Sequence, residues 1–217
     1  YVILVALYCE KRSNTMITNK SCIIRLSHYK NALYRLRSLG FVKVFSDNLA
    51  DAVGVLPSQV RKDFSIFGIS GNRRGGYQVD LLIDKISSIL GKERTHEVII
   101  VGMGNIGSAL MKYRGFEKEG IKISACFDID SGKHNKDSEI PVLPFEEMKE
   151  FVRSKGIKIG VIAVPDIAAQ SVIDMMIACG IRGVLNFAPI RLRAADNVIV
   201  NNVNLELELE NVIYFVN

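Results

Sequence analysis

The 217 residues contain no tryptophan, only three histidines and only four cysteines. Cys9, Cys22, Cys126 and Cys179 are scattered with no C-x-x-C pair, which excludes a zinc site of finger or ribbon spacing and supplies no disulfide framework. Such cysteine use fits a reducing compartment, so a cytoplasmic location is expected. Long apolar runs are missing too. The first, Tyr1 to Cys9, falls well short of the roughly 20 residues that a membrane helix needs, and it lacks the basic start and small-residue cleavage site of a secretory signal. Residues 1–15 read as a loose tail or translated upstream sequence, the competing reading being an element packed on the body. The histidines form no catalytic pattern: His28 lies in a basic segment, His96 in a linker, and His134 in a polar, solvated loop.

What is present is an ordinary globular balance, 48% hydrophobic and 24% charged, with the charge unevenly divided. Residues 1–94 hold 15 Lys and Arg against 7 Asp and Glu, net +8, whereas residues 95–217 hold 13 against 16, net −3. Opposite signs in the two halves imply two tasks. The expected organisation is a first domain over 16–91, a second over 92–203, and a terminal segment over 204–217.

In the first half, Ile23, Leu26, Tyr29, Leu33, Leu36 and Leu39 recur at steps of three and four and predict a helix stopped by Gly40. Ser46 is the expected N-cap of a short helix ending at Gly54, and Pro57 or Ser58 opens another through Val60, Phe64 and Phe67. This is a helix-turn-helix pattern. Ser58, Gln59, Arg61, Lys62 and Asp63 are expected on the outer face of the second helix, where polar groups reach base edges and cations meet phosphates. The glycine-rich stretch Gly68 to Tyr77 suits a hairpin with Arg73 and Arg74 at its tip, the wing of a winged helix. A solvated basic loop on a small helical domain is the plain alternative. Asp80 to Leu90 predicts a last helix before the linker Gly91 to Arg94.

The second half opens with the strand Val98 to Val101, which runs into Gly102-Met103-Gly104-Asn105-Ile106-Gly107 and then a helix from Ser108 to Tyr113. That is G-x-G-x-x-G in its strand-turn-helix setting: a tight turn, a close approach to a pyrophosphate, and close helix–strand packing. A second strand, Ile121 to Phe127, ends at Asp128, where a carboxylate can accept ribose hydroxyls and repel a 2′-phosphate, favouring NAD over NADP. A helix over 146–156, a strand from Ile159 to Val164 ending at Pro165, a helix from Ala168 to Cys179, a strand at Gly183 with its exit loop Asn186-Phe187-Ala188-Pro189, and a strand at Val198 to Val200 complete a doubly wound parallel sheet. Val164, Pro165 and Asn186 to Pro189 are expected beside the reactive end of the cofactor, since ligands bind at the carboxyl ends of such strands. Too few residues follow for a separate substrate domain. A nucleotide site without evident acid–base machinery, joined to a DNA-binding module, reads as a sensor rather than an enzyme.

Taken together, Gln59-Val60-Arg61-Lys62-Asp63-Phe64-Ser65, the glycine-rich wing, Gly102 to Gly107, Tyr113-Arg114-Gly115-Phe116, Phe127-Asp128-Ile129-Asp130, Ala163-Val164-Pro165 and Leu185 to Pro189 resemble the Rex family of redox-sensing transcriptional repressors, from about Arg25 to Phe215. The resemblance implies a homodimer of winged-helix and Rossmann domains with Leu205 to Val216 as a helix swapped between subunits. It also implies binding of NADH and NAD⁺, and release of a palindromic DNA operator by NADH. By the same resemblance Lys62 reads bases, Arg61 contacts phosphate, Arg73 enters the minor groove and Tyr113 lies near the nicotinamide. Asn31 and Asn204 stand where some members carry an Arg and an Asp that pair in one state. A small NAD-dependent oxidoreductase and a CoA-ligase-like nucleotide module are the alternatives.

Overall fold

A computed structural model describes residues 20–72, 75–91 and 93–216, and the tail over residues 1–15 and both wing arginines, Arg73 and Arg74, lie outside the described residues. The chain divides into two compact units, Tyr1–Arg94 and Thr95–Asn217.

The first unit is built on α1 (Lys20–Ser38), β1 (Lys43–Val44), α2 (Ser46–Val53), α3 (Pro57–Ile66), β2 (Tyr77–Gln78) and α4 (Val79–Ile89). Leu26, Tyr29 and Leu33 of α1 are fully buried, while Ile23 and Leu39, at the ends of the same apolar stripe, are exposed. Ser46 is the first helical residue of α2 rather than its cap: Phe45 occupies the cap position, and its N–H donates to Asn48 Oδ1 at 2.8 Å. Proline at the start of α3 suits a turn whose amide has no helical partner. The core gathers Tyr29, Leu33, Leu49, Val60, Phe64 and Ile86. Phe64 meets the rings of Tyr29 and Tyr77 edge-on at 5.5 and 5.2 Å. β1 and β2 pair antiparallel, Lys43 with Gln78 and Val44 with Tyr77. This pairing requires glycine at position 76, where φ is +65° and a Cβ would stand 2.5 Å from the Val44 carbonyl oxygen. An isolated bridge from Asn72 to Gly76 closes the base of the wing.

The second unit runs β3 (His96–Val101), α5 (Asn105–Met111), α6 (Gly115–Lys118), β4 (Ile121–Asp128), β5 (Val142–Pro144), α7 (Met148–Lys155), β6 (Ile159–Ile162), α8 (Asp166–Cys179), β7 (Gly183–Asn186), β8 (Ile199–Asn202) and α9 (Leu205–Val216). All six strands are parallel, in the order β5-β4-β3-β6-β7-β8. The apolar run of β3 serves two layers. Ile99 and Val101 face a core with Phe127, Met148, Ile162 and Met176, and Val98 and Ile100 face another with Cys126, Val161 and Phe116. Strands buried on both faces read as continuous apolar runs, as this one does.

Several boundaries differ from the sequence expectation. His96 opens β3 instead of lying in a linker, and the helix after the glycine loop begins at Asn105 and stops at Met111. The helix expected over 146–156 starts with a 3₁₀ turn at Phe145–Glu147, with α7 following and Gly156 closing it at φ +64°. β5 was not anticipated. α9 is a helix despite its Leu-Glu alternation, and Asn204 caps it, Oδ1 accepting the Leu207 N–H at 3.1 Å. Among the described residues no helix is long and apolar enough to cross a membrane.

Candidate functional site

The first candidate site lies where β3, β4, β6 and β7 end. Gly102, the first glycine of the loop, has φ +96°, and its N–H donates to the Phe127 carbonyl at 2.8 Å. A Cβ there would meet the Ala163 carbonyl oxygen at 2.5 Å and Val164 Cγ1 at 2.8 Å, so glycine at 102 is what lets the turn pass close against the chain leaving β6. At Gly107 a Cβ would collide with the Gly102 carbonyl oxygen. Gly104 differs: nothing stands within 4 Å of its missing Cβ. Two glycines thus serve packing, and the third leaves bare backbone facing open space at the switch point between β3 and β6, where doubly wound sheets hold ligands. Asn105 and Ile106 are exposed beside it, and Met103 is buried.

Asp128, expected to accept ribose hydroxyls, is 7% exposed and clamps the loop. Its Oδ2 accepts the Met103 N–H at 2.6 Å and Lys133 Nζ at 3.2 Å, and its Oδ1 accepts the Asp130 N–H at 2.8 Å. Burial pushes this carboxyl up, but the amides of Asp130 and Met103 and the Lys133 ammonium outweigh it and hold it below the ordinary range. The exposed carboxylate at this edge belongs to Asp130, whose Oδ1 accepts the Gly132 N–H at 3.0 Å. His134 is not a free loop residue either: Nε2 lies 2.8 Å from the Asp128 carbonyl oxygen. Lys133 went unrecognised in the sequence because its partner depends on how the loop after β4 folds back.

Val164 is half-buried and Pro165 exposed at the end of β6. Asn186 is fully buried, and its side chain shapes the exit loop. Nδ2 donates to the carbonyls of Ala188 and Ile190 and to Asn202 Oδ1, and Oδ1 accepts the Ala188 N–H. Pro189 is the exposed residue of this loop, while Phe187 is half-buried against the core that holds Val98, Ile100 and Cys126. Tyr113 is exposed, beyond the end of α5, with its ring edge-on to Phe116 at 5.1 Å and lining a cavity with Ile121, Lys122 and Ile123 at the start of β4. Since α5 leads away from the carboxyl edge of the sheet, one chain does not by itself bring Tyr113 to the loop 186–189.

The second candidate site is the outer face of α3. Ser58, Arg61 and Lys62 are exposed and Gln59 is half-buried. Asp63, expected on the same face, is completely buried. Arg25 grips it with Nε on Oδ2 at 2.6 Å and Nη2 on Oδ1 at 2.7 Å; Tyr29 Oη donates to Oδ2 at 2.9 Å and Gln59 Nε2 to Oδ1 at 2.7 Å. Burial would raise the Asp63 carboxyl, but the hydrogen bonds from Arg25, Gln59, Tyr29 and Cys22 prevail and hold it down to about 2. Burial also pushes the Cys22 thiol up to about 11, with the Asp63 contact adding to it. Nothing in the local pattern marks Arg25 and Tyr29 as partners of an acid; their spacing of four on α1 matches that of Gln59 and Asp63 on α3, a signal visible only once the two helices are known to meet.

Residues 93–190 match the family model described as "CoA binding domain", and residues 19–65 match "Putative DNA-binding protein N-terminus". The redox-sensing transcriptional repressor Rex of Desulforamulus reducens is 44% identical over 88% of this chain and 91% of its own length. That of Carboxydothermus hydrogenoformans is 43% identical over 88% and 92%. A crystal structure of RSP in complex with β-NADH superposes with TM-score 0.83 at 34% identity, covering 91% of this chain and 93% of that one. One of RSP with β-NAD⁺ and operator DNA gives 0.86, covering 91% of each.

Proposed function

The chain belongs to the Rex family of redox-sensing transcriptional repressors, and from that premise we propose that it represses transcription by binding operator DNA in the cytoplasm and lets go when NADH occupies its second unit. The observation that carries this reading is that one whole-length likeness spans both units, so the basic helical unit and the nucleotide unit belong to one device. Residues 16–91 act as the winged-helix domain, 92–203 as the NAD(H)-binding domain, and 204–217 as a helix exchanged between two copies. The apolar residues that α9 exposes, Leu205, Leu209, Val212, Ile213 and Val216 among them, support that exchange. Ser58, Gln59, Arg61, Lys62, Arg73 and Arg74 face DNA. Gly102 to Gly107 receive the pyrophosphate, with Gly104 as the point of closest approach, and Val164, Pro165 and the loop 186–189 line the nicotinamide end. Asp128 supports the nucleotide by holding the Met103 amide in place, and Tyr113 contributes from the far end of α5. The chain regulates and does not turn NADH over.

The test starts from selection of binding sites out of a randomised duplex pool by the full chain, followed by titration of the selected duplex in the presence of NADH, NAD⁺, NADPH or CoA. NADH is expected to weaken DNA binding, with CoA inert. Unchanged affinity with NADH overturns the sensor reading, and release by CoA in place of NADH favours the nucleotide-module alternative.

A further inference from the structure

The Asp63 carboxylate has its lone pairs taken by two Arg25 nitrogens, Tyr29 Oη and Gln59 Nε2, all between 2.6 and 2.9 Å. Arg25 and Tyr29 come from α1, so the acid is anchored to a different helix from its own. Gln59 sits one turn before Asp63 on α3, half-buried, at the border between the buried face and the exposed pair Ser58 and Lys62. A carboxylate only accepts hydrogen bonds, so the Gln59 amide cannot be turned round: reversing it would set its carbonyl oxygen against Asp63. The amino group therefore faces Asp63, and Oε1 is directed away from it.

A glutamine with a freely rotating amide offers a donor or an acceptor to DNA with equal ease. In the major groove only the exocyclic amino groups of adenine and cytosine donate, while guanine and thymine present carbonyl oxygens. We propose that Asp63 is a positioning residue for base selection, fixing Gln59 so that its carbonyl oxygen reads an amino-bearing base in each half-site. The proposal rests on the reading of α3 as the DNA-facing helix. The low carboxyl pKa agrees with it, since Asp63 stays an acceptor throughout the physiological range.

The test uses the full chain and a duplex pool randomised over about 20 base pairs, enough for two half-sites one helical turn apart. The parent is expected to enrich a two-fold consensus with an amino-bearing base favoured at one position per half-site. That preference should vanish in Gln59→Met and fall at least about fivefold in Asp63→Asn, whose amide lets Gln59 turn either way. Other positions should keep their preferences. The double variant Asp63→Asn with Gln59→Glu should recover the preference, because a carboxylate at 59 accepts in any orientation; a purely structural role for Asp63 would show no such recovery. Should Asp63→Asn fail to fold, hydrogen exchange of the Gln59 side-chain amide in the parent serves instead, and it should be at least tenfold slower than that of an exposed glutamine. An unchanged consensus in the variants, absent recovery in the double variant, or unprotected Gln59 amide protons overturn the inference and leave the DNA reading standing. A parent that enriches no sequence overturns both.

Discussion

Asp128 and Asp63 are both buried carboxylates that organise other groups, and each makes a residue-level prediction. Asp128 holds the amide of Met103 inside the glycine loop. Asp128→Asn replaces a charge-assisted acceptor with a neutral group, and a hydrogen bond to a charged group contributes about 1.5–3 kcal/mol. The expected result is weaker binding of NADH and NADPH by a similar factor, measured by calorimetry. Selective recovery of NADPH binding would instead return Asp128 to direct contact with the ribose. Asp63 gives a pH dependence. Its folded pKa is lowered from an ordinary 3.8 to about 2, so its contribution is present above pH about 4 and is lost as pH falls through about 2, an effect of about 2 kcal/mol. Urea midpoints followed between pH 5 and pH 2 should drop for the parent more steeply than for Asp63→Asn. Parallel curves would contradict the assignment.

At the scale of elements, α3 and α9 each carry an exposed face to which the proposed function gives a task. On α3, Lys62→Ala is expected to cost about 1–3 kcal/mol and to relax base preference, while Arg61→Ala should weaken specific and random duplexes alike and lower the salt dependence. Competition titrations at two salt concentrations separate the two. Equal losses on all sequences for both variants would remove the reading role from Lys62. α9 is the other case. A helix whose apolar side chains are all exposed in one chain is unusual for a stable soluble element and marks an association surface. If α9 is exchanged between two copies as proposed, the full chain should sediment as a dimer and a chain lacking residues 204–217 as a monomer, with tight binding to a two-fold site lost, since each subunit then engages only one half-site.

For the whole molecule the governing relation is linkage. If NADH lowers DNA affinity by some factor, DNA must lower NADH affinity by the same factor. By the family resemblance, Asn31 and Asn204 stand where some members carry an Arg and an Asp that pair in one state. Asn31 lines a groove on α1 with His28, Arg35 and Leu36, and Asn204 caps α9. Aspartate caps a helix as well as asparagine does, so Asn204→Asp preserves the start of α9. Asn31→Arg together with Asn204→Asp is expected to tighten DNA binding in the absence of NADH, and neither substitution alone should. Fluorescence titration of the selected duplex reads this directly, and an effect of either single change equal to that of the pair would exclude an ion pair between them.

Local chemistry determined a large part of this protein. The turn after β3 needs a left-handed residue at 102 and no side chain at 107, and only glycine meets both demands, so the loop could be read from spacing. The apolar periods of α1 and β3, and the stop at Gly40, follow from the same short-range rules. Tertiary structure decided what depends on partners far apart in sequence. Asp63 looked like one more polar residue on an outer face until α1 brought Arg25, 38 residues earlier, against it. Asp128 is legible in the sequence as a carboxylate at the end of a strand, but that it holds the Met103 amide and Lys133 was decided by the fold. β5, three residues long, carries too little pattern of its own and exists through its pairing with β4. A polar side chain has the same local signature whether water or a buried arginine receives it, and only packing distinguishes the two.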